Sequence, residues 1–111
     1  MLTNQSSDMT ILELLKATRA LISNPANWTQ DCCARNKDGA ETGALNPTAV
    51  QWCSAGALIK CRDDKVVVHY RAYDLLEDLL TSETLIEFND HHTHSEVLAL
   101  FDQAIERASA Q

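Results

Sequence analysis

A chain of 111 residues, 45% hydrophobic but only 5% aromatic, suits one compact domain built around an aliphatic core. Its formal charge of −7 is lopsided: residues 1–55 carry four Lys/Arg against five Asp/Glu, and residues 56–111 five against eleven. That balance argues against nucleic acid, which needs basic residues to neutralise phosphates, and against an anionic membrane surface, and no apolar run is long enough to cross a bilayer.

Residues 1–10 are polar and lack the basic and apolar regions of a signal peptide. Residues 1–9 are therefore expected as a flexible N-terminus, residues 10–108 as one globular domain, and residues 109–111 as a tail. Thr10-Ile11-Leu12-Glu13 has the form of a capping box. Ile11, Leu14, Leu15, Ala17, Leu21 and Ile22 then recur with helical period to about Ser23. Asn24-Pro25 stops this helix, because proline disfavours helical geometry in the residue before it. Over residues 28–45 the period disappears. Residues 28–35 read as a short strand and Lys37-Asp38-Gly39 as a turn, so a small hairpin or extended element is expected there.

Asn46-Pro47 reads as an N-cap followed by proline at the first helical position, predicting a second helix to about Cys61. Gly56 inside it costs about 1 kcal/mol relative to alanine, which implies the close approach of a neighbour; a crossing helix is expected. Asp63 or Asp64 is expected to cap a third helix over residues 65–80. There the stripe Val68, Ala72, Leu75, Leu76 and Leu79 outweighs the strand propensity of Val66-Val67-Val68. Residues 84–88 read as a strand or extended connector. Thr93-His94-Ser95-Glu96 is another capping box, opening a last helix to about Ala108 with Val97, Leu98, Phe101, Ala104, Ile105 and Ala108 inward. The expected class is mainly α, at the margin of α+β: a bundle of about four helices with a small β element between the first two.

Three landmarks carry a resemblance. They are Trp28-Thr29-Gln30 with Arg35 and Gly39; Trp52-Cys53 with Gly56-Ala57-Leu58; and Asn89-Asp90 with Thr93 and Glu96-Val97-Leu98-Ala99-Leu100-Phe101. Together, over about residues 10–108, they resemble a family of small bacterial and phage proteins known as a domain of unknown function, of the DUF6197 type. The resemblance implies a shared fold and no activity. Cys32-Cys33 and the histidines of His91-His92-Thr93-His94 depart from the family's pattern and look particular to this chain.

Several chemistries compete for these residues. Cys32, Cys33, Cys53 and Cys61 read as reduced thiols of a cytoplasmic protein. Cys53, near a helix start that lowers a thiol pKa, could serve a hydrolase or transferase with His69 or His92 as base and Asp90 orienting it. Against this, free cysteine is more often a small buried hydrophobe. His91, His92 and His94 are weak metal candidates, since no spacing matches a zinc pattern; no metal or cofactor is expected. Trp28, Arg35, Trp52, Asn89 and Asp90 are candidates to line a small polar-ligand pocket, although Asn-Asp is by default a turn and both tryptophans suit a core. Asp74, Glu77 and Asp78 form an acidic ridge on the third helix, either a solvated face or a docking face for a basic protein. The favoured reading is a small acidic, non-enzymatic binding protein of inhibitor or immunity type. Its oligomeric state has no signature in the sequence.

Overall fold

The computed structural model describes residues 9–110. The expected flexible N-terminus lies, apart from Met9, outside the described residues. Thr10 Oγ1 accepts the Glu13 N–H (3.0 Å) while Glu13 accepts the Thr10 N–H (2.8 Å), so the first capping box closes and opens helix α1, Ile11–Ile22. Its buried face is Leu14, Leu15, Thr18 and Ile22. Thr18 replaces Ala17 inside at no polar cost, because its hydroxyl donates to the Leu14 carbonyl (2.8 Å). Asn24-Pro25 ends α1 as expected and starts a short 3-10 turn, Pro25–Asn27.

Three short antiparallel strands follow, β1 (Ala34–Asn36), β2 (Glu41–Thr42) and β3 (Ala49–Trp52), in the order β2-β1-β3. The strand expected over residues 28–35 is confined to its end; the segment before it is a loop held to β3 by the Thr29 N–H on the Trp52 carbonyl (3.1 Å). The turn at Lys37-Asp38-Gly39 is present, with Asn36 Oδ1 accepting from the Asp38 and Ala40 N–H groups. Gly39 supplies its φ of +83°.

The second helix starts later than the sequence signal implied. Asn46 Oδ1 accepts from the Thr48 N–H (2.9 Å) and hydroxyl (2.8 Å), so Asn46-Pro47 is a turn into β3 rather than a helix cap. Residues 49–52 pair with β1 instead: Arg35 stands opposite Gln51 and Ala34 opposite Trp52. A pairing partner distant in sequence thus outweighs a local cap. Helix α2 is Ser54–Arg62, and its N-cap is Cys53, whose Sγ accepts the Gly56 N–H (3.3 Å).

Helix α3 is Val66–Asp78. Neither Asp63 nor Asp64 caps it: the N-cap position is Lys65, without a side-chain cap bond, and Asp63 sits at the end of α2 with φ 54°. Residues expected as extended form a further helix, α4 (Leu85–His91), opened by a third complete capping box between Thr84 and Glu87. The last helix, α5 (His94–Ser109), has the expected Thr93–Glu96 box and buries Val97, Leu100, Phe101 and Ala104. The architecture among the described residues is thus mainly helical, five α-helices with a small sheet between the first two. Helix α1 packs against α2, α3 and α5 around Leu14, Leu15, Leu58, Leu76 and Phe101. No helix among the described residues is long and apolar enough to cross a membrane.

Candidate functional site

The three landmarks meet at one buried side chain. Asn89, on α4, is fully buried. Its Oδ1 accepts from Trp28 Nε1 (2.8 Å), the Ser54 N–H (2.9 Å) and the Ser54 hydroxyl (2.7 Å). Its Nδ2 donates to the Thr29 carbonyl (3.1 Å) and to Asp90 Oδ1 (3.1 Å). The same Asp90 oxygen accepts the Asp31 N–H (2.8 Å), at a residue held in the left-handed region with φ 72°. Gln30 Nε2 reaches the Asn89 and His92 carbonyls, both at 3.0 Å, where α4 ends. One amide therefore ties the loop after the 3-10 turn to the starts of α2 and the end of α4. Each of its polar atoms is occupied within the chain.

The five residues expected around a polar pocket separate into different tasks. Trp28, Asn89 and Asp90 belong to this knot. Arg35 laces the loop beside it, donating to Thr29 Oγ1 (2.8 Å), the Gly39 carbonyl (3.0 Å) and the Gln30 carbonyl (3.1 Å). Trp52 is a core residue whose indole N–H donates to the Ala44 carbonyl (3.0 Å). Ser54, Thr29 and Gln30 complete the knot. No spacing rule links Ser54 to Asn89, 35 positions away, so sequence reasoning had no signal for that partnership.

Beside the knot lies a cleft of about 220 Å³, lined by Asp31, Cys32, Cys33, Cys53, Ile86 and Asp90. Cys53 is 4% exposed. Burial pushes its thiol up to about 11, although the Gly56 N–H works against that shift. The helix start that would activate the thiol instead uses its sulfur as a cap acceptor, and the thiol is protonated at neutral pH. Gly56 has the close neighbour its presence implied, but this is not a crossing helix. A Cβ there would run into the Cys33 carbonyl oxygen, the group that accepts the Cys53 N–H (3.0 Å).

The histidines are dispersed. His69 is buried against Tyr70 (ring centroids 5.1 Å apart) and Tyr73 (6.0 Å), and neither ring nitrogen has a hydrogen-bond partner among the described residues. Burial, then Arg62, hold its pKa below the usual value. His92 stacks on Phe88 (3.9 Å) and pairs with Glu83 (3.0 Å) and Glu96 (3.4 Å). His94 donates to the Ile22 carbonyl (2.7 Å) and packs on Trp28, whereas His91 is exposed at the end of α4. Among the described residues no group of three or more His, Cys, Asp or Glu side chains is placed to hold a metal ion.

On α3 the acidic ridge divides. Asp74 and Asp78 are exposed, but Glu77 is half-buried and its Oε2 accepts the Leu85 N–H (2.7 Å), holding the first turn of α4. The exposed face that Asp74 and Asp78 share continues toward the helix start through Tyr70 and Val67, 60% and 63% exposed. These apolar residues were not singled out as a site from the sequence; their signal was the spacing 67, 70, 74, 78, which keeps all four on one side of a helix.

The model of a family of unknown function, DUF6197, matches residues 6–107. The match spans nearly the whole chain, and the chain belongs to that family. No curated protein and no solved structure matches it.

Proposed function

We propose that this member of the DUF6197 family is a non-enzymatic binding module that engages a basic protein partner through the outer face of α3. The observation that carries the reading is the adjacency of Val67 and Tyr70 to Asp74 and Asp78 on one exposed helical face. Tyrosine is enriched among the anchors of protein interfaces, and neighbouring carboxylates favour a positively charged counterpart and speed its approach. A small acidic protein of this design suits an inhibitor or immunity role in the cytoplasm, covering a basic site on its target. The protonated, cap-forming Cys53 supports binding over thiol catalysis. The saturated Asn89 supports a structural knot over a small-ligand pocket.

The test is affinity capture from the native host with the parent, a Val67→Ala/Tyr70→Ala protein and an Asp74→Lys/Asp78→Lys protein. Glu77 is left intact because it holds α4. The parent should retain a basic protein that both variants lose, and added salt should weaken capture by the parent, since screening shortens to about 8 Å at physiological ionic strength. Equal recovery of the same partner by parent and both variants would overturn the reading. A Cys53→Ser protein should bind as the parent does; loss of binding there would return the thiol to the centre of the function.

A further inference from the structure

Cys33 and Cys53 flank the paired ends of β1 and β3 and line one cleft. The β1–β3 register pairs Arg35 with Gln51 and Ala34 with Trp52. The ladder ends there; one residue beyond it the Cys53 N–H donates to the Cys33 carbonyl (3.0 Å), while the Cys53 carbonyl already accepts the Ala57 N–H of α2 (2.8 Å). A direct backbone hydrogen bond keeps the two residues adjacent, on the scale of the roughly 4.4–6.8 Å between Cα atoms that disulfides span. Both side chains line the same cleft. The spacing is also held from behind. Gly56 has no side chain, so the Cys33 carbonyl settles onto the first turn of α2. All four cysteines are free thiols in the structure.

We propose that Cys33 and Cys53 are a redox-active pair that closes to a disulfide when a hydroperoxide enters the cleft. Cys33 is exposed and Cys53 buried, which assigns their order. The Cys33 sulfur attacks the peroxide as its thiol proton is given up; the O–O bond breaks, an S–O bond forms, and the departing oxygen leaves with that proton as water or an alcohol, so Cys33 becomes a sulfenic acid. The Cys53 sulfur then attacks the Cys33 sulfur. The S–O bond breaks, the S–S bond forms, and the hydroxyl leaves as water with the proton of Cys53. Two thiols are oxidised to one disulfide, and one peroxide is reduced. The Asp31 and Asp90 carboxylates on the cleft wall favour a small neutral oxidant over an anionic one such as oxidised glutathione.

The other two thiols are placed differently. Cys32 donates to the Ala34 carbonyl (3.4 Å) at the start of β1. Cys61 lies two helical turns beyond Cys53, beside Thr18.

The experiment treats the native, reduced protein with hydrogen peroxide and maps cross-linked peptides by mass spectrometry without reduction. The expected product is a monomer lighter by two hydrogens with Cys33 joined to Cys53, a raised thermal midpoint, and reversal of both by a dithiol. A Cys32→Ser/Cys61→Ser protein should close as readily as the parent. In a Cys53→Ser protein the sulfenic acid should persist and be trapped on Cys33 by dimedone, with far less label on the parent. A link through Cys32, a covalent dimer, overoxidation of Cys33 without a link, or equal dimedone labelling of parent and Cys53→Ser would each overturn the proposal.

Discussion

Truncating Asn89 to alanine removes five hydrogen bonds from the buried knot. The consequences differ by partner. Trp28 and Asp90 are half-buried and can turn to water, and the Ser54 hydroxyl can rotate. The Ser54 N–H and the Thr29 carbonyl cannot: Ser54 is 0% and Thr29 9% exposed, and backbone atoms have no rotamer. A stranded buried polar group costs about 1–3 kcal/mol, so the expected loss for Asn89→Ala is about 2–6 kcal/mol. Domains of this kind have roughly 5–15 kcal/mol to lose. The variant should therefore lose a large share of its stability, and unfold at room temperature if the parent sits at the low end of that range. Urea titration followed by tryptophan fluorescence reads this directly, since Trp28 belongs to the knot and Trp52 to the core beside it. Asn89→Asp sharpens the argument. It keeps the acceptor for Trp28 and Ser54 but turns the donor end into an oxygen facing the Thr29 carbonyl and Asp90. Its deficit relative to the parent should be large at neutral pH and shrink on acidification, as the new carboxyl gains a proton to donate. An Asn89→Ala protein within about 0.5 kcal/mol of the parent, the range of an ordinary surface change, would refute the structural role assigned to the knot.

Two further expectations concern the start of α2. Alanine normally gains about 1 kcal/mol over glycine in a helix, but Gly56→Ala should lose about 1–3 kcal/mol, because its Cβ meets the Cys33 backbone carbonyl; a denaturation midpoint equal to or above the parent's would contradict this. Burial pushes the Cys53 thiol up to about 11 from its ordinary value of 9.0. Its contribution is fully present below pH 9 and is lost as pH rises through the folded value, by at most about 2–3 kcal/mol. Stability measured across that window should fall less steeply in Cys53→Ser, while Cys32, Cys61 and Tyr73, also raised by burial, keep their shares; an unchanged alkaline slope would show that the thiol is not held protonated.

Much of the helical layout is legible because its signals are short-ranged. The boxes at Thr10–Glu13 and Thr93–Glu96 close over three residues, and the stripes of α1, α3 and α5 repeat within one or two turns. Helix α4 carries the same signal in Thr84-Leu85-Ile86-Glu87, but a segment of five residues is too short for a helical period to outweigh an extended reading. At Asn46-Pro47 a genuine local signal misled: the asparagine does cap its own turn, and whether a helix or a strand follows depends on whether β1 is there to pair.

The functional region shows the same division. Exposed positions on α3, the run of acidic residues and the closeness implied by Gly56 follow from composition and periodicity, since each concerns one element and its solvent. What packs on Gly56, which residues satisfy Asn89, why Glu77 is not part of the free acidic face, and which cysteine lies beside Cys53 are all contacts between segments 8 to 61 positions apart. Such contacts leave no period in the chain. Their energy lies in desolvated pairs that exist only after the core has excluded water, so partners are chosen by register and packing and not by neighbourhood in sequence.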